Sequence, residues 1–202
     1  MNDDIWRSVW SRPADAFDDR RYGRLTASLR GFLAGLAGAR PSMTQIDDLE
    51  ATLAEWGDVL ATCQVDEDRQ VYAQRPDVQG RGQVTCPAVA YTWLGETELR
   101  ARVRFDRYFL GSNGAAHGGA VAFVMDEVAG RLCHLGGRST ARTAYLNTNY
   151  RSITPTDTDL DIFGVIEREE GRKRFLRLEI RDGNTLCADA TVLMIALNVG
   201  QV

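Results

Sequence analysis

His117, Gly118 and Gly119 stand together in this chain, and Asp126 and Glu127 follow nine and ten residues after the histidine. The spacing joins a glycine-opened helix start to an acid pair more than two turns inside the same helix. Adjacent glycines let a ligand approach the backbone, and the first N–H groups of a helix are unpaired donors with partial positive charge. Such a terminus can polarise a carbonyl, and a carboxylate can activate water beside it, so the combination fits acyl chemistry.

The helix that carries these groups is predicted from about Gly118 to His134. Val121, Val124, Met125, Val128, Leu132 and Leu135 recur at three- and four-residue intervals and read as its buried stripe. Beside them lies a face of small residues, Ala122, Asp126, Ala129, Gly130 and Cys133. Asp126 has Ala122, Phe123, Ala129 and Gly130 three and four positions away, so no helical partner neutralises it. It is either an acid held for chemistry or one that points to water. Glu127 has Arg131 four residues on and reads as an ordinary surface pair. His117 reads equally as a helix-start residue bonded to nearby backbone or as an acid-base group. Nine residues of helix rotate by about 900° and rise ~13 Å, so Asp126 and the Gly118 N–H face different ways. For both to act on one carbonyl, the acid of one chain must meet the glycines of another, as a two-fold dimer allows.

These residues resemble the hotdog-fold acyl-CoA thioesterases, and among them the phenylacetate-pathway (PaaI-like) type. The resemblance covers about Leu99 to Leu197. It includes His117-Gly118-Gly119 with Asp126, Ala141-Arg142-Thr143-Ala144-Tyr145, Tyr150-Arg151-Ser152-Ile153-Thr154-Pro155 and Glu170-Gly171-Arg172-Lys173-Arg174-Phe175. It implies an α+β hotdog fold, an antiparallel sheet wrapped around one long central helix, and hydrolysis of an acyl-CoA thioester without a cofactor. Asp126 would be general base or nucleophile, the Gly118 N–H the oxyanion donor across a dimer interface, and His117 a structural or orienting group. Thr143 would help place the attacking water; as a residue type it reads more commonly as an exposed strand threonine. Gly119 and Gly130 would lie against the substrate. CoA phosphates would meet Arg151, Arg172, Lys173 and Arg174, which otherwise read as a solvated charged turn. The family's amide or glutamine six residues before the histidine is replaced by Gly111, and Asn113 is the residue that could supply it from a shifted loop. Related hotdog hydratases carry an Asp five residues before their histidine, where this chain has Ser112. A non-catalytic acyl-CoA-binding module is the alternative, for which Gly111 is the main support.

The surrounding sequence supplies the elements. Leu99, Ala101, Val103 and Phe105 alternate with charged residues as a half-buried strand. After the helix, strands are predicted near Thr140 to Tyr150, Asp159 to Arg168, Arg172 to Arg181 and Thr185 to Leu197, with turns at Gly171 and Asp182-Gly183-Asn184. Val84 to Trp93 adds an extra strand that Pro87 confines to an edge. The expected organisation is a helical hairpin extension and linker over 1–80 and a catalytic domain over 81–202. Within the extension, Tyr22, Leu25, Leu29, Phe32, Leu33 and Leu36 form one helical stripe, and Ile46, Leu49, Leu53, Trp56 and Leu60 another. Gly38-Ala39-Arg40-Pro41 separates them, and Ser42-Met43-Thr44-Gln45 has the form of a capping box. Both stripes are expected to pack on the core or a dimer partner, with a lid over the acyl pocket as the sharper alternative. Gln74 to Gly82, with Pro76, Gly80 and Gly82, reads as the linker.

The resemblance implies an acyl-CoA substrate and further copies of the chain, as a dimer or dimer of dimers, as the partners, and composition argues against others. A net charge of -4 over 202 residues argues against a general nucleic-acid binder. No apolar run reaches the ~20 residues of a membrane span, and the acidic start Met1-Asn2-Asp3-Asp4 is unlike a signal peptide, so a cytoplasmic location is expected. Cys63, Cys86, Cys133 and Cys187 are scattered and read as reduced thiols. With two histidines and no clustered ligands, no metal site is expected.

Overall fold

Val121, Val124, Met125, Val128 and Leu132 are each 1% exposed or less, which makes their stripe the core face of a helix over Gly118–Leu132. The computed structural model describes residues 19–75, 78–198 and 200, so the acidic start and Pro76 lie outside the described residues. In chain order the elements are α1 (Asp19–Gly38), α2 (Met43–Ala61), β1 (Val89–Leu94), β2 (Glu98–Arg104), β3 (Leu110–Ser112), β4 (Ala115–Ala116), α3 (Gly118–Leu132), β5 (Ala141–Tyr150), β6 (Asp159–Glu170), β7 (Lys173–Asp182) and β8 (Thr185–Ala196). Helix α3 ends two residues before the expected His134, with Cys133 as its C-cap.

One six-stranded antiparallel sheet, in the order β1-β2-β6-β7-β8-β5, lies against α3. Its helix-facing side follows a period of two: Leu99, Ala101 and Val103; Leu160 and Ile162; Leu176, Leu178 and Ile180; Ala188, Ala190, Val192 and Met194. Strand β1 is an edge strand beginning two residues after Pro87, as a missing ladder donor requires. Strand β5 is the other edge, and most of it is exposed. Among the described residues no helix is long and apolar enough to cross a membrane.

Gly164 sits where helix and sheet leave no room for a side chain. A Cβ there would lie 2.7 Å from Leu178 Cδ2, 3.1 Å from Leu132 Cδ2 and 3.3 Å from Leu99 Cδ1. All three leucines are fully buried, so none has room to withdraw.

The N-terminal helices form as expected, and the capping box is complete: the Gln45 N–H donates to Ser42 Oγ (3.3 Å) and the Ser42 N–H to Gln45 Oε1 (2.9 Å). Their apolar stripes are not buried as expected. Leu25 is 52% exposed and Leu36 44%, while Leu53, Trp56 and Leu60 on α2 are 54%, 60% and 57% exposed, and α2 has no buried residue. The reason is that α1 docks through a polar row, Tyr22, Thr26 and Arg30, that shares only Tyr22 with the stripe. Thr26 is buried, the Tyr22 hydroxyl donates to Gly82 O (3.2 Å), and Arg30 Nη1 donates to Cys86 O (2.9 Å). That attachment turns the stripe away from the sheet.

Two stability outcomes follow from this packing. Gly164→Val is expected to cost about 1–3 kcal/mol through overpacking. Leu53→Glu in the isolated chain is expected to stay within about 0.5 kcal/mol of the parent. Urea unfolding at equal, low protein concentration measures both, and a large loss from Leu53→Glu would mean that α2 is buried in solution.

Candidate active site

The start of α3 is closed by His117. Its backbone is extended (φ -60°, ψ 130°), and its Nδ1 accepts the Gly119 N–H at 3.0 Å, so it is a side-chain N-cap. Of the two sequence readings of His117, the backbone-bonded helix-start residue is the one this geometry fits. The cap uses the Gly119 donor. Among the described residues no acceptor reaches the Gly118 N–H, while the Gly118 carbonyl accepts the Tyr150 hydroxyl at 2.8 Å. The helix terminus therefore presents one backbone donor beside a tyrosine of the edge strand.

Asp126 lies elsewhere, on the wall of a cavity of about 410 Å³. Its Oδ1 accepts the Thr143 hydroxyl at 2.9 Å. Thr143 reaches it from β5 just before a bulge: Thr143 pairs with Met194 and Tyr145 with Leu193, which leaves Ala144 as the extra residue. Gly130, one turn on from Asp126, adds open space, since nothing lies within 4 Å of a Cβ placed there. The cavity takes further walls from Val89, Tyr91, Ala141 and Met194. His117, Gly118 and Gly119 are not among its lining residues, so a single chain brings Asp126, Thr143 and Gly130 together and leaves the glycine terminus apart.

Glu127 is not the surface partner of Arg131 that its spacing implied. Arg81, from the linker, meets it with a two-pronged contact, Nε to Oε1 at 2.7 Å and Nη2 to Oε2 at 2.8 Å, and both side chains are largely covered. Arg131 instead lies over the Tyr91 ring, 5.3 Å from its centroid. The i,i+4 rule fails here because a fork reaching in from another segment offers two charge-assisted bonds, where the helical neighbour offers a solvated contact.

The remaining residues singled out from the sequence are placed as follows. Asn113 and Gly114 form the tip of the β3–β4 hairpin with φ of 50° and 77°, the left-handed pair of a tight turn. Gly111 packs against the helix start: a Cβ there would lie 3.2 Å from His117 Cα. Arg174 is 6% exposed and donates to Cys133 O (2.8 Å), Ser139 O (2.7 Å) and Ser139 Oγ (2.9 Å), so it ties α3 to β7 and is not a solvent-facing phosphate ligand. Arg151 is paired with Asp189, whose carboxyl is held below its usual range by that hydrogen bond. Arg172 donates to Ala196 O, and Lys173 is exposed.

The whole arrangement matches a known fold. A crystal structure of a thioesterase superfamily protein superimposes with a TM-score of 0.72 at 19% identity, over 92% of this chain and 94% of that one. At that coverage the likeness has to run into the N-terminal helices. The chain has the hotdog fold. No family model matches. Over shorter stretches the hotdog chain also resembles a Streptococcus mutans UA159 protein bound to acetyl CoA (17% identity, TM-score 0.51, 55% of this chain and 89% of that one). A hypothetical thioesterase protein with coenzyme A from Streptococcus pneumoniae TIGR4 gives 18% identity and a TM-score of 0.50 over 53% and 86% of the two chains. Among curated proteins, acyl-coenzyme A thioesterase THEM4 of Bos taurus is 37% identical over 93 residues, 45% of this chain and 38% of the relative. THEM4 of Xenopus laevis is 35% identical over 94 residues, 45% and 41% of the two. The chain thus spans about two-fifths of the length of these relatives.

Several groups around the hotdog cavity escaped the sequence reading. Arg81 and Gln83 come from the linker, Cys86 from the approach to β1, and His134 from just beyond α3. His134 Nδ1 lies 2.6 Å from the Gly130 carbonyl, which requires a proton on that nitrogen. Burial lowers the pKa of the ring, although the Gly130 carbonyl works in the opposite direction. Burial also pushes the Cys86 and Cys133 thiols up to about 12. One signal was available for Arg81, which stands between Gly80 and Gly82 as a charge inside a turn.

The cysteines give a direct check on this burial. In the folded chain Cys63 alone should react promptly with a thiol reagent, and Cys86, Cys133 and Cys187 only after unfolding. Ellman's assay under native and denaturing conditions reads the two counts; a second fast thiol would contradict the packing around the cavity.

Proposed function

We propose that this chain hydrolyses acyl-CoA thioesters to a free acid and CoA, as a hotdog enzyme of the phenylacetate-pathway type with a catalytic domain over 81–202 and a helical extension over 1–80. The observation that carries this reading is the Asp126–Thr143 contact at the wall of an otherwise largely apolar cavity. The relatives named acyl-coenzyme A thioesterase and the neighbours with coenzyme A or acetyl CoA bound support it.

In the proposed reaction Asp126 acts as general base, taking a proton from a water that Thr143 helps position. The water oxygen attacks the thioester carbon, the carbon–sulfur bond breaks, and the CoA thiolate leaves and recovers a proton. As nucleophile, Asp126 would instead form an anhydride that water then opens, with the same products. Charge developing on the carbonyl oxygen meets the Gly118 N–H of a second copy, since one chain keeps the two groups apart. We propose that the copies meet along the exposed edge strand β5, as a dimer or dimer of dimers. Tyr150, at 56% exposure, ends that strand against Gly118. Arg151, Arg172 and Lys173 remain the proposed contacts for CoA phosphates. The unpaired cysteines fit a cytoplasmic setting. A second reading, an acyl-CoA-binding module without turnover, is favoured by Gly111, which leaves the carbonyl side without a side-chain amide.

Asp126→Asn tests the reading. Release of CoA thiol from a panel of acyl-CoAs should fall by ~10²–10⁴-fold with the fold intact. Near-normal turnover in the variant would overturn the mechanism, and no turnover in the parent on any substrate would favour the binding module. Subunit mixing tests the shared site: Asp126→Asn and Gly118→Pro chains, each nearly inactive, should recover roughly a quarter of parent activity when re-equilibrated together, because about half the dimers are mixed and each carries one intact site. Confirmed exchange without recovery would exclude a site shared between chains.

A further inference from the structure

The inner wall of the cavity belongs to α3 and the sheet, but its outer wall is the segment from Val78 to Pro87, which precedes β1. Three consecutive residues of that segment, Gly80, Arg81 and Gly82, have left-handed φ of 64°, 56° and 75°. Glycine adopts this conformation freely, whereas arginine is strained there. An arginine at the middle position is therefore an anomaly that some interaction must offset. The interaction is the two-pronged bond to Glu127, with a third bond from Arg81 Nη1 to Ala73 O at 3.0 Å.

The segment's other hydrogen bonds run outward or within itself. Arg30 of α1 holds the carbonyls of Gln83 and Cys86, Tyr22 holds Gly82 O, and the Tyr72 hydroxyl accepts the Val84 N–H. Toward α3 it is tied by Arg81, assisted by a longer contact from Gln83 Nε2 to Glu127 at 3.5 Å. Arg81 is thus the inward tie of a wall whose outward ties belong to the N-terminal extension. Glu127, the anchor on α3, is the residue next to Asp126.

We propose that the Arg81–Glu127 pair holds the Val78–Pro87 segment across the cavity and so sets the size of the acyl group admitted, making both residues determinants of chain-length selectivity. The inference rests on the thioesterase reading. The substrate class is an apolar acyl group bounded by Val78, Pro87, Tyr91 and Met194, within about 410 Å³. Glu127 acts through Arg81 as a positioning residue and does not touch the reacting atoms.

The variants are Arg81→Gly, which suits the left-handed backbone and removes the tie together with the bond to Ala73 O, Glu127→Gln, which leaves the Ala73 bond in place, and the exchange Arg81→Glu with Glu127→Arg. kcat and KM are measured on straight-chain acyl-CoAs from two to sixteen carbons. Both single variants should shift the preferred length upward and raise the ratio of long-chain to short-chain kcat/KM by about tenfold, the scale set by one or two methylenes in a fitted pocket. The exchange should move the profile back toward the parent. Hydrogen exchange of amides 78–87 should accelerate in Arg81→Gly while that of α3 does not. A uniform loss across all lengths, or an unchanged profile, overturns the proposal. If the parent cleaves none of the series, the thioesterase reading fails by itself; the wall is then read from displacement of a fluorescent fatty acid by unlabelled fatty acids of the same lengths, and an unchanged length preference in Arg81→Gly overturns the proposal in that case too.

Discussion

Two adjacent carboxylates on a helix whose other charged residue is Arg131 impose the constraint from which the site follows. Helix α3 is the centre of the core, with its stripe from Val121 to Leu132 removed from water. A carboxylate at the margin of such a helix must be met by donors or lose the hydration that stabilises it. Successive residues on a helix point about 100° apart, so Asp126 and Glu127 cannot share one donor. Thr143 meets the first from β5, and Arg81 meets the second from the linker. The cavity is the space between these two approaches. Its position is therefore a consequence of satisfying two charges separately.

The same constraint explains how the N-terminal extension is attached. Its apolar stripes face solvent in the chain, so hydrophobic burial is not what fixes it. Polar ties do: Arg30 and Tyr22 hold loop carbonyls, and the loop in turn holds Glu127. Burial lowers the pKa of the Arg30 guanidinium, the mark of a cation drawn out of water to serve backbone acceptors. Helix α2, beyond this network, relies on its capping box and local hydrogen bonds. The exposed Leu53, Trp56 and Leu60 show that the seam read as a packing surface is real as a pattern, although nothing among the described residues covers it.

Legibility in the sequence divides along the same line. The strands β5 to β8 and helix α3 emerge within two residues of their expected ends, because periods of two and of three to four report burial directly. The Ser42 box and the Gly171 and Gly183 turns were readable for the same local reason, since cap and turn chemistry belong to neighbouring residues. The contact between Asp126 and Thr143 entered only through family resemblance, because it depends on the bulge at Ala144 and on a separation of seventeen residues. The Arg81–Glu127 pair was missed because Arg131 offered a nearer explanation by spacing, and a long-range fork leaves no periodic trace. Arg174 was misread for the converse reason: three consecutive cations at a hairpin resemble a solvated patch, yet alternation along β7 turns the last of them into the core.

Gly111 shows how close packing can shape chemistry from a distance. Its Cα approaches the helix start so nearly that a side chain would press on His117, whose own N–H donates to Phe109 O at 2.7 Å. An amide at that position would have to displace the His117 backbone by a few tenths of an ångström, at the residue that makes the cap with Gly119. Packing thus crowds a side chain at this position, Gly111 itself offers no side-chain donor, and His117 occupies the Gly119 donor. On the proposed reaction, stabilisation of the carbonyl oxygen then rests on the Gly118 N–H at the positive end of α3. Removal of one such donor typically costs ~10²–10³-fold in rate, so a chain lacking the amide must recover that stabilisation from the helix terminus and from exclusion of water, or turn over more slowly. A backbone donor has one advantage over an amide side chain. It cannot rotate away, because the His117 carbonyl of the same peptide unit accepts the Ala120 and Val121 N–H groups, and the cap and the Tyr150 bond together hold the next unit, Gly118–Gly119.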